Sequence, residues 1–303
     1  MTQMKTFRVI CPLYDFTVSN VVHTDSQMSP AEIARLFESR EEDMVKGIEV
    51  FNGVKIKRIS KEDHQVLESS LFLPPDTRLR PSMYVLEKEI AVEERLEDFI
   101  LDTTMQNIVL AMRLLKKGYV SGNTTFYVPI SEIELINRQP IMIEWSWQRQ
   151  RKLETGGGFD YILSLDEVPN LKELIQKVHK AHLAKRKNLD LARRRFERAY
   201  EEEDFEDQLI DIMIAFESLF LKGEKGNVPH GRIIAVGCSC LLGKNEEQRA
   251  EIESFLTEAY LIRNCVVHGS EYRKPTVGKE YEMFEFVSRI EDYLRDSLKK
   301  LLD

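Results

Sequence analysis

An arginine and a histidine five residues apart are the side chains in this sequence best suited to chemistry. Arg263, Asn264 and His268 lie in the mostly apolar segment 260–269, which ends in Gly269. A guanidinium group can hold a phosphate through its planar set of N–H donors, and an imidazole can transfer a proton near neutral pH. Together they suit phosphodiester chemistry that needs no metal ion.

The same residues are also typical of an ordinary helix end. The segment closes a helical pattern that begins near Glu246, and Gly269 favours termination directly after His268. Residues four apart share a helix face, so Asn264 is expected beneath His268. The helix dipole attracts cations to this end, and Asn264 can satisfy a carbonyl group. On the chemistry of the residues alone, this structural explanation outweighs a catalytic one.

Two further charged residues lie in apolar helical segments and are expected to need partners. Glu217 lies within the segment 214–220, and Arg232 lies near the start of a helix predicted over 230–242. Because an unpaired buried carboxylate is costly, we expect Glu217 to pair with Arg232 or with Arg263. The pair is either a structural ion pair or a supporting contact that orients Arg263.

The composition is that of an acidic protein. Its 303 residues are 43% hydrophobic and carry a formal net charge of −8, so the bulk charge repels nucleic acid. The first residues lack the apolar core of a signal peptide, and no segment approaches the length of a membrane span. The sequence therefore predicts a cytoplasmic protein with no membrane association.

One basic segment opposes this acidic balance. Residues 172–198 contain ten lysines and arginines and three acids, a local net charge of +7, on one helix predicted over 171–203. Such a segment can bind a nucleic-acid backbone, or it can be a solvated helix face balanced by the acids at 201–204. His179 and His182 have metal-pair spacing but no evident third ligand, so no metal site is predicted. The candidate backbone-binding residues are Lys185, Arg186, Lys187, Arg193, Arg194 and Arg195.

The periodicity of apolar residues predicts two regions of different fold. Residues 1–168 mix strand and helix patterns, including a hairpin around Asn52 and Gly53, and form an α+β domain to which the sequence assigns no definite role. Sensing or regulation is one option for this region. Residues 169–303 contain helices joined by short loops, which indicates an all-α antiparallel bundle and a predominantly helical protein. The bundle helices are predicted over 171–203, 205–222, 230–242, 246–268 and 279–302.

Three segments of this bundle together resemble the HEPN superfamily, and most closely its Apea-like branch. They are 214–221, 232–235 and 259–269, and the resemblance extends from about residue 171 to the last residue. It implies a HEPN-like bundle with metal-independent endoribonuclease activity and no cofactor. The ribose 2′-OH would attack the adjacent phosphate and leave a cyclic phosphate, which confines the reaction to RNA. The residues matching the family's catalytic motif are Arg263 and His268, with Asn264 as their polar neighbour.

The same resemblance implies partners. HEPN proteins commonly dimerise so that two motifs face one cleft, which predicts a homodimer acting on single-stranded RNA. Many belong to toxin–antitoxin or antiviral defence systems, which implies an antitoxin or another regulatory partner. Some members have no catalytic role, and the alternative function is a non-enzymatic module that binds RNA, a nucleotide or a protein.

Overall fold

A computed structural model of the chain describes residues 5–19, 46–68, 83–92, 103–122, 124–130, 141–144, 161–184, 186–202, 204–223, 228–271 and 280–302. The contacts divide the chain into two compact units, 1–176 and 177–303. This division falls inside a helix, whereas the sequence places the boundary between residues 168 and 169. The described residues contain eight strands and eight α-helices, so the protein is predominantly helical with an N-terminal antiparallel sheet, as predicted.

The first unit is built on a six-stranded antiparallel sheet in the order β3-β4-β5-β1-β6-β7. A separate parallel pair joins β2 to β8. Asn52 (φ 43°) and Gly53 (φ 79°) form the tight turn between β3 and β4, which confirms the predicted hairpin. The strands are β1 (Lys5–Leu13), β2 (Phe16–Ser19), β3 (Ile48–Phe51), β4 (Val54–Arg58), β5 (Tyr84–Val92), β6 (Thr124–Pro129), β7 (Ile141–Glu144) and β8 (Tyr161–Ser164). Two helices, α1 (Lys61–Glu68) and α2 (Thr104–Leu115), accompany them.

The C-terminal half is helical, and its helices largely match the predicted ranges. One prediction is wrong: the single helix expected over 171–203 is two helices. Arg186 adopts an extended conformation (φ −73°, ψ 98°), which separates them. The helices are α3 (Val168–Leu183), α4 (Lys187–Ala199), α5 (Phe205–Phe220), α6 (His230–Leu242), α7 (Glu246–His268) and α8 (Glu280–Leu301). None of the helices within the described ranges is long and apolar enough to cross a membrane.

The contacts between α6 and α7 show that these neighbours run in opposite directions. Gly231, at the start of α6, lies against Tyr260 near the end of α7, and Gly243, just after α6, lies against Arg249 near the start of α7. Short connections between long helices favour this arrangement. It places the start of α6 beside the segment that carries the arginine–histidine motif.

The contacts between α4 and α5 show that these two helices also run in opposite directions. The Ser218 hydroxyl, near the end of α5, donates to the Asn188 carbonyl at the start of α4 (3.2 Å). Further along, the Arg195 guanidinium donates to the Asp211 carboxylate (2.5 Å). In the second unit, the pairs α4–α5 and α6–α7 are therefore antiparallel.

A buried arginine joins α8 to α4 inside this unit. Arg295 is 3% exposed and pairs with Glu291 and Asp292 on its own helix. Its guanidinium also donates to the Tyr200 hydroxyl (3.3 Å) and lies 5.9 Å from the centre of the Phe196 ring. Burial lowers the pKa of Arg295, but the surrounding oxygen atoms outweigh burial and raise it overall. Arg295 therefore stays charged, and its charge is balanced by the two carboxylates and hydrogen-bonded to the Tyr200 hydroxyl.

Candidate functional site

The last turn of α7 ends in a glycine cap that fixes the backbone of the motif. Gly269 has a φ of 65°, in the left-handed region. Its N–H donates to the Val266 carbonyl (3.1 Å), and the N–H of Ser270 donates to the Cys265 carbonyl (2.9 Å). This pair of bonds is a Schellman motif, which satisfies carbonyls that the helix end leaves free. His268 is therefore the final helical residue, and its side chain is exposed.

Arg263 is held from several directions within its own chain. Its Nη2 lies 3.3 Å from Glu217 Oε1, and its Nη1 donates to Asn264 Oδ1 (3.1 Å). The guanidinium carbon lies 5.6 Å from the centre of the Tyr260 ring, close enough for a cation–π contact. The side chain of Arg263 is 17% exposed and that of Glu217 is 24% exposed. Of the two arginines expected as partners of Glu217, the structure brings Arg263 to it.

Tyr260 completes this cluster, and the sequence reasoning assigned it no role. Its hydroxyl donates to Glu217 Oε1 (3.3 Å), the same oxygen that lies against Arg263. Burial, and secondly the Glu217 carboxylate, raise the pKa of the Tyr260 hydroxyl. Its position three residues before Arg263, on the same side of the helix, is the sequence signal that could have indicated it. We call Glu217, Tyr260, Arg263 and Asn264 the Arg263 cluster.

The start of α6 approaches the Arg263 cluster through a glycine. A Cβ atom on Gly231 would lie 2.7 Å from Tyr260 Cδ1 and 2.9 Å from its Cγ, so only glycine permits this approach without a shift. The next residue, Arg232, is exposed and forms no ion pair with another described residue. The structure therefore does not bring Arg232 to Glu217, and Gly231 is the α6 residue that contacts the cluster.

We expect Gly231→Ala to destabilise the protein by about 1–3 kcal/mol, because the new methyl group overlaps the inner atoms of the Tyr260 ring. Chemical denaturation would measure the change. The matched control is the same substitution in a Tyr260→Ala background, where no ring opposes the methyl group. There the cost should vanish, since alanine favours helix over glycine. An equal cost in both backgrounds would show that the ring is not the cause.

The basic residues predicted to bind a nucleic-acid backbone fall into different groups. Arg193 pairs with Glu197 (2.9 Å), and Arg195 pairs with Asp211 (2.5 Å), so their charges are balanced within the chain. Lys185 lies outside the described residues. These ion pairs weaken the prediction for Arg193 and Arg195, because a phosphate would compete with a carboxylate already in place.

The remaining basic candidates are more accessible. Arg186 is exposed, and its guanidinium donates a long hydrogen bond to the Leu301 carbonyl (3.5 Å). Lys187 and Arg194 are exposed, and neither forms an ion pair with another residue in the part of the chain that the structure describes. They are therefore the predicted residues best placed to bind an anion.

The arrangement at the end of α7 can supply charge stabilisation and proton transfer. Arg263 Nε is buried and has no hydrogen-bond partner among the described residues, which leave this one donor of the guanidinium unpaired. The His268 imidazole is exposed and can accept or release a proton. Within the described ranges, no three His, Cys, Asp or Glu side chains cluster closely enough to hold a metal ion.

Comparisons of this chain with protein-family models, with curated proteins and with solved structures found no match. The structure itself defines a chain of two units: the first combines β-sheet with helices, and the second is helical. Membership of the HEPN superfamily stays a prediction, based on the three segments that carry the resemblance.

Proposed function

We propose that the chain is a metal-independent endoribonuclease of the HEPN type that cleaves single-stranded RNA. The observation that carries this proposal is the contrast between the two motif residues. Arg263 is held by Glu217, Asn264 and Tyr260, while His268 is exposed in the last turn of the same helix. A fixed cation and an exposed proton-transfer group within the last two turns of one helix suit attack on a phosphodiester.

The proposed reaction is an internal transfer at phosphorus. The ribose 2′-OH loses its proton and attacks the adjacent phosphorus atom, and the 5′-oxygen of the next nucleotide leaves with a proton. The products are a 2′,3′-cyclic phosphate and a free 5′-OH. His268 transfers a proton in this reaction, and Arg263 stabilises the negative charge that develops on the phosphoryl oxygens. Asn264 positions the arginine through its side-chain oxygen.

A homodimer would complete this site. One protomer supplies a single His268, whereas the reaction needs a proton acceptor and a proton donor, so two copies across one cleft can divide these roles. Leu261 is 60% exposed and lies seven residues before His268, on the same helix face. Val267, which is 48% exposed, adds apolar surface in the last turn. This apolar surface beside the histidine supports the packing of a second copy there.

The alternative function is a non-enzymatic binding module of the same type. It is favoured by the position of Arg263, which is only 17% exposed and already lies against Glu217. In this alternative the arginine fastens α7 to α5, and the exposed surface binds RNA, a nucleotide or a protein without cleavage. An antitoxin or another regulatory protein is a proposed partner in either case.

We expect purified protein to cleave single-stranded RNA in the presence of EDTA and to leave a 2′,3′-cyclic phosphate. Gel analysis of end-labelled RNA, with mass spectrometry of the new ends, would measure this. Sedimentation in the same buffer would establish the oligomeric state. A folded dimer that cleaves none of a varied panel of RNAs would contradict a constitutive nuclease and favour the binding module.

A further inference from the structure

A second candidate site lies at the elbow between α3 and α4, where the predicted single helix breaks. An open depression of about 500 Å³ is lined by His182, Lys187, Asp190, Leu191, Arg193 and Arg194. None of these residues belongs to the Arg263 cluster. The depression falls within the size range of small-ligand sites, and most of its lining side chains can carry positive charge.

The spacing of the lining residues explains their exposure. Lys187, Asp190 and Arg194 are three and four residues apart, so they lie on one face of α4. The buried residues Leu189 and Phe196 occupy the opposite face. The charged face is therefore turned away from the core of its unit and is accessible to a ligand.

The two cations on this face are not neutralised within the described chain. Arg193, Arg195 and Arg198 each pair with an acidic residue, whereas Lys187 and Arg194 have no ion pair with any residue that the structure describes. Asp190 is the one carboxylate in the lining, and it opposes the binding of an anion. In a chain of net charge −8, this concentration of unpaired positive charge favours a phosphate ligand.

The start of α4 and the Arg263 cluster both contact the C-terminal end of α5. Ser218 donates to the carbonyl of Asn188, the residue after Lys187 (3.2 Å). The residue before Ser218 is Glu217, which lies against Arg263 (3.3 Å). Lys187 and the Arg263 cluster are therefore linked through two successive residues of α5, which favours one extended polyanion as their common ligand.

We propose that Lys187 and Arg194 bind backbone phosphates of single-stranded RNA in this depression and anchor the strand whose cleavage is proposed above. The proposal rests on the proposed function for its ligand. It selects two of the six basic residues indicated by the sequence. It also assigns Asp190 an opposing role, because its carboxylate repels the same phosphates.

The test is RNA binding by the full-length protein, measured by fluorescence anisotropy with a 2′-O-methyl RNA that cannot be cleaved, in EDTA. We expect the double variant K187A/R194A to weaken binding by about tenfold or more. Its plot of log affinity against log salt concentration should be shallower by about 1.4, since each phosphate contact on a single strand contributes about 0.7. The matched control, K55A/K244A, removes two exposed lysines outside the depression and outside the basic segment 172–198, and it changes the net charge equally.

A third variant, Asp190→Asn, separates a ligand-binding role from a structural one. We expect it to tighten RNA binding several-fold, because it removes the opposing charge and keeps the side-chain shape. Equal affinities of K187A/R194A and the control, with no gain in Asp190→Asn, would overturn the anchoring proposal. A cleavage assay with unmodified RNA would then still test the proposed nuclease activity independently. Conversely, if K187A/R194A binds RNA more weakly but the wild-type protein cleaves no RNA, the result would support the anchoring role and contradict the proposed nuclease activity.

Discussion

Replacing His268 with alanine is expected to lower RNA cleavage by about two to four orders of magnitude and to leave folding almost unchanged. The imidazole is exposed at the last residue of α7, and its side chain forms no hydrogen bond with another described residue. Its loss therefore removes a proton-transfer group without removing a contact that holds the helices together. Single-turnover cleavage in EDTA, with the cyclic phosphate as product, would measure the effect.

The matched control for this variant is Ser270→Ala. Ser270 is exposed two residues after His268, and the substitution keeps the backbone N–H that donates to the Cys265 carbonyl, so it tests whether any side-chain change at this helix end affects cleavage. We expect the control to retain most of the wild-type rate. Wild-type cleavage by His268→Ala would contradict the assigned role. A variant that binds RNA normally but no longer cleaves it would show that the histidine acts in the chemical step and does not contribute to RNA affinity.

Substituting Arg295 with methionine is expected to lower the free energy of unfolding by about 3 kcal/mol, the lower end of the range for breaking a buried ion pair. The substitution leaves Glu291, Asp292 and the Tyr200 hydroxyl without their shared donor. The two carboxylates are partly exposed and can turn toward water, which limits the cost. Urea denaturation followed by far-ultraviolet circular dichroism would measure it.

The control is the same substitution at Arg289, six residues earlier on α8. Arg289 is 44% exposed, pairs with Glu251 and lies 4.5 Å from the centre of the Phe255 ring. Exposed ion pairs contribute little because water screens them, so we expect a loss of about 1 kcal/mol or less. Similar losses at the two positions would show that burial does not determine the importance of Arg295.

The features that the sequence predicted well are those determined by neighbouring residues. The hairpin follows from Asn52 and Gly53, which both tolerate positive φ. The end of α7 follows from Gly269 after an unbroken helical pattern. In each case a few adjacent residues define the backbone conformation, so no knowledge of tertiary contacts is needed.

The break between α3 and α4, in contrast, is not indicated by any local sequence signal. Val178 and Leu189, buried on either side of it, are eleven residues apart. Eleven residues are close to three helical turns, so the apolar pattern stays in phase across the break. The residues between them include no glycine or proline, and lysine and arginine favour helix. Periodicity alone therefore predicted one continuous helix.

The partners in the Arg263 cluster also required the tertiary structure. The sequence indicated that Glu217 needs a cation but could not choose between Arg232 and Arg263, because either lies on a helix that could pack beside it. The choice depends on which helix turns its arginine toward Glu217: the fold leaves Arg232 exposed and places Arg263 Nη2 3.3 Å from the carboxylate. The periodicity of a single helix carries no signal for which neighbouring helix does so.

The glycine cap of α7 also determines when the ordering of His268 takes place. Fixing the backbone of one residue costs about 1–2 kcal/mol in conformational entropy. Because the hydrogen bonds of Gly269 and Ser270 hold the last turn, this cost at His268 is met when the protein folds. Only the two side-chain rotations of the exposed imidazole remain to be restricted when a ligand arrives. The cap thus moves most of the ordering of this residue from the binding step to the folding step.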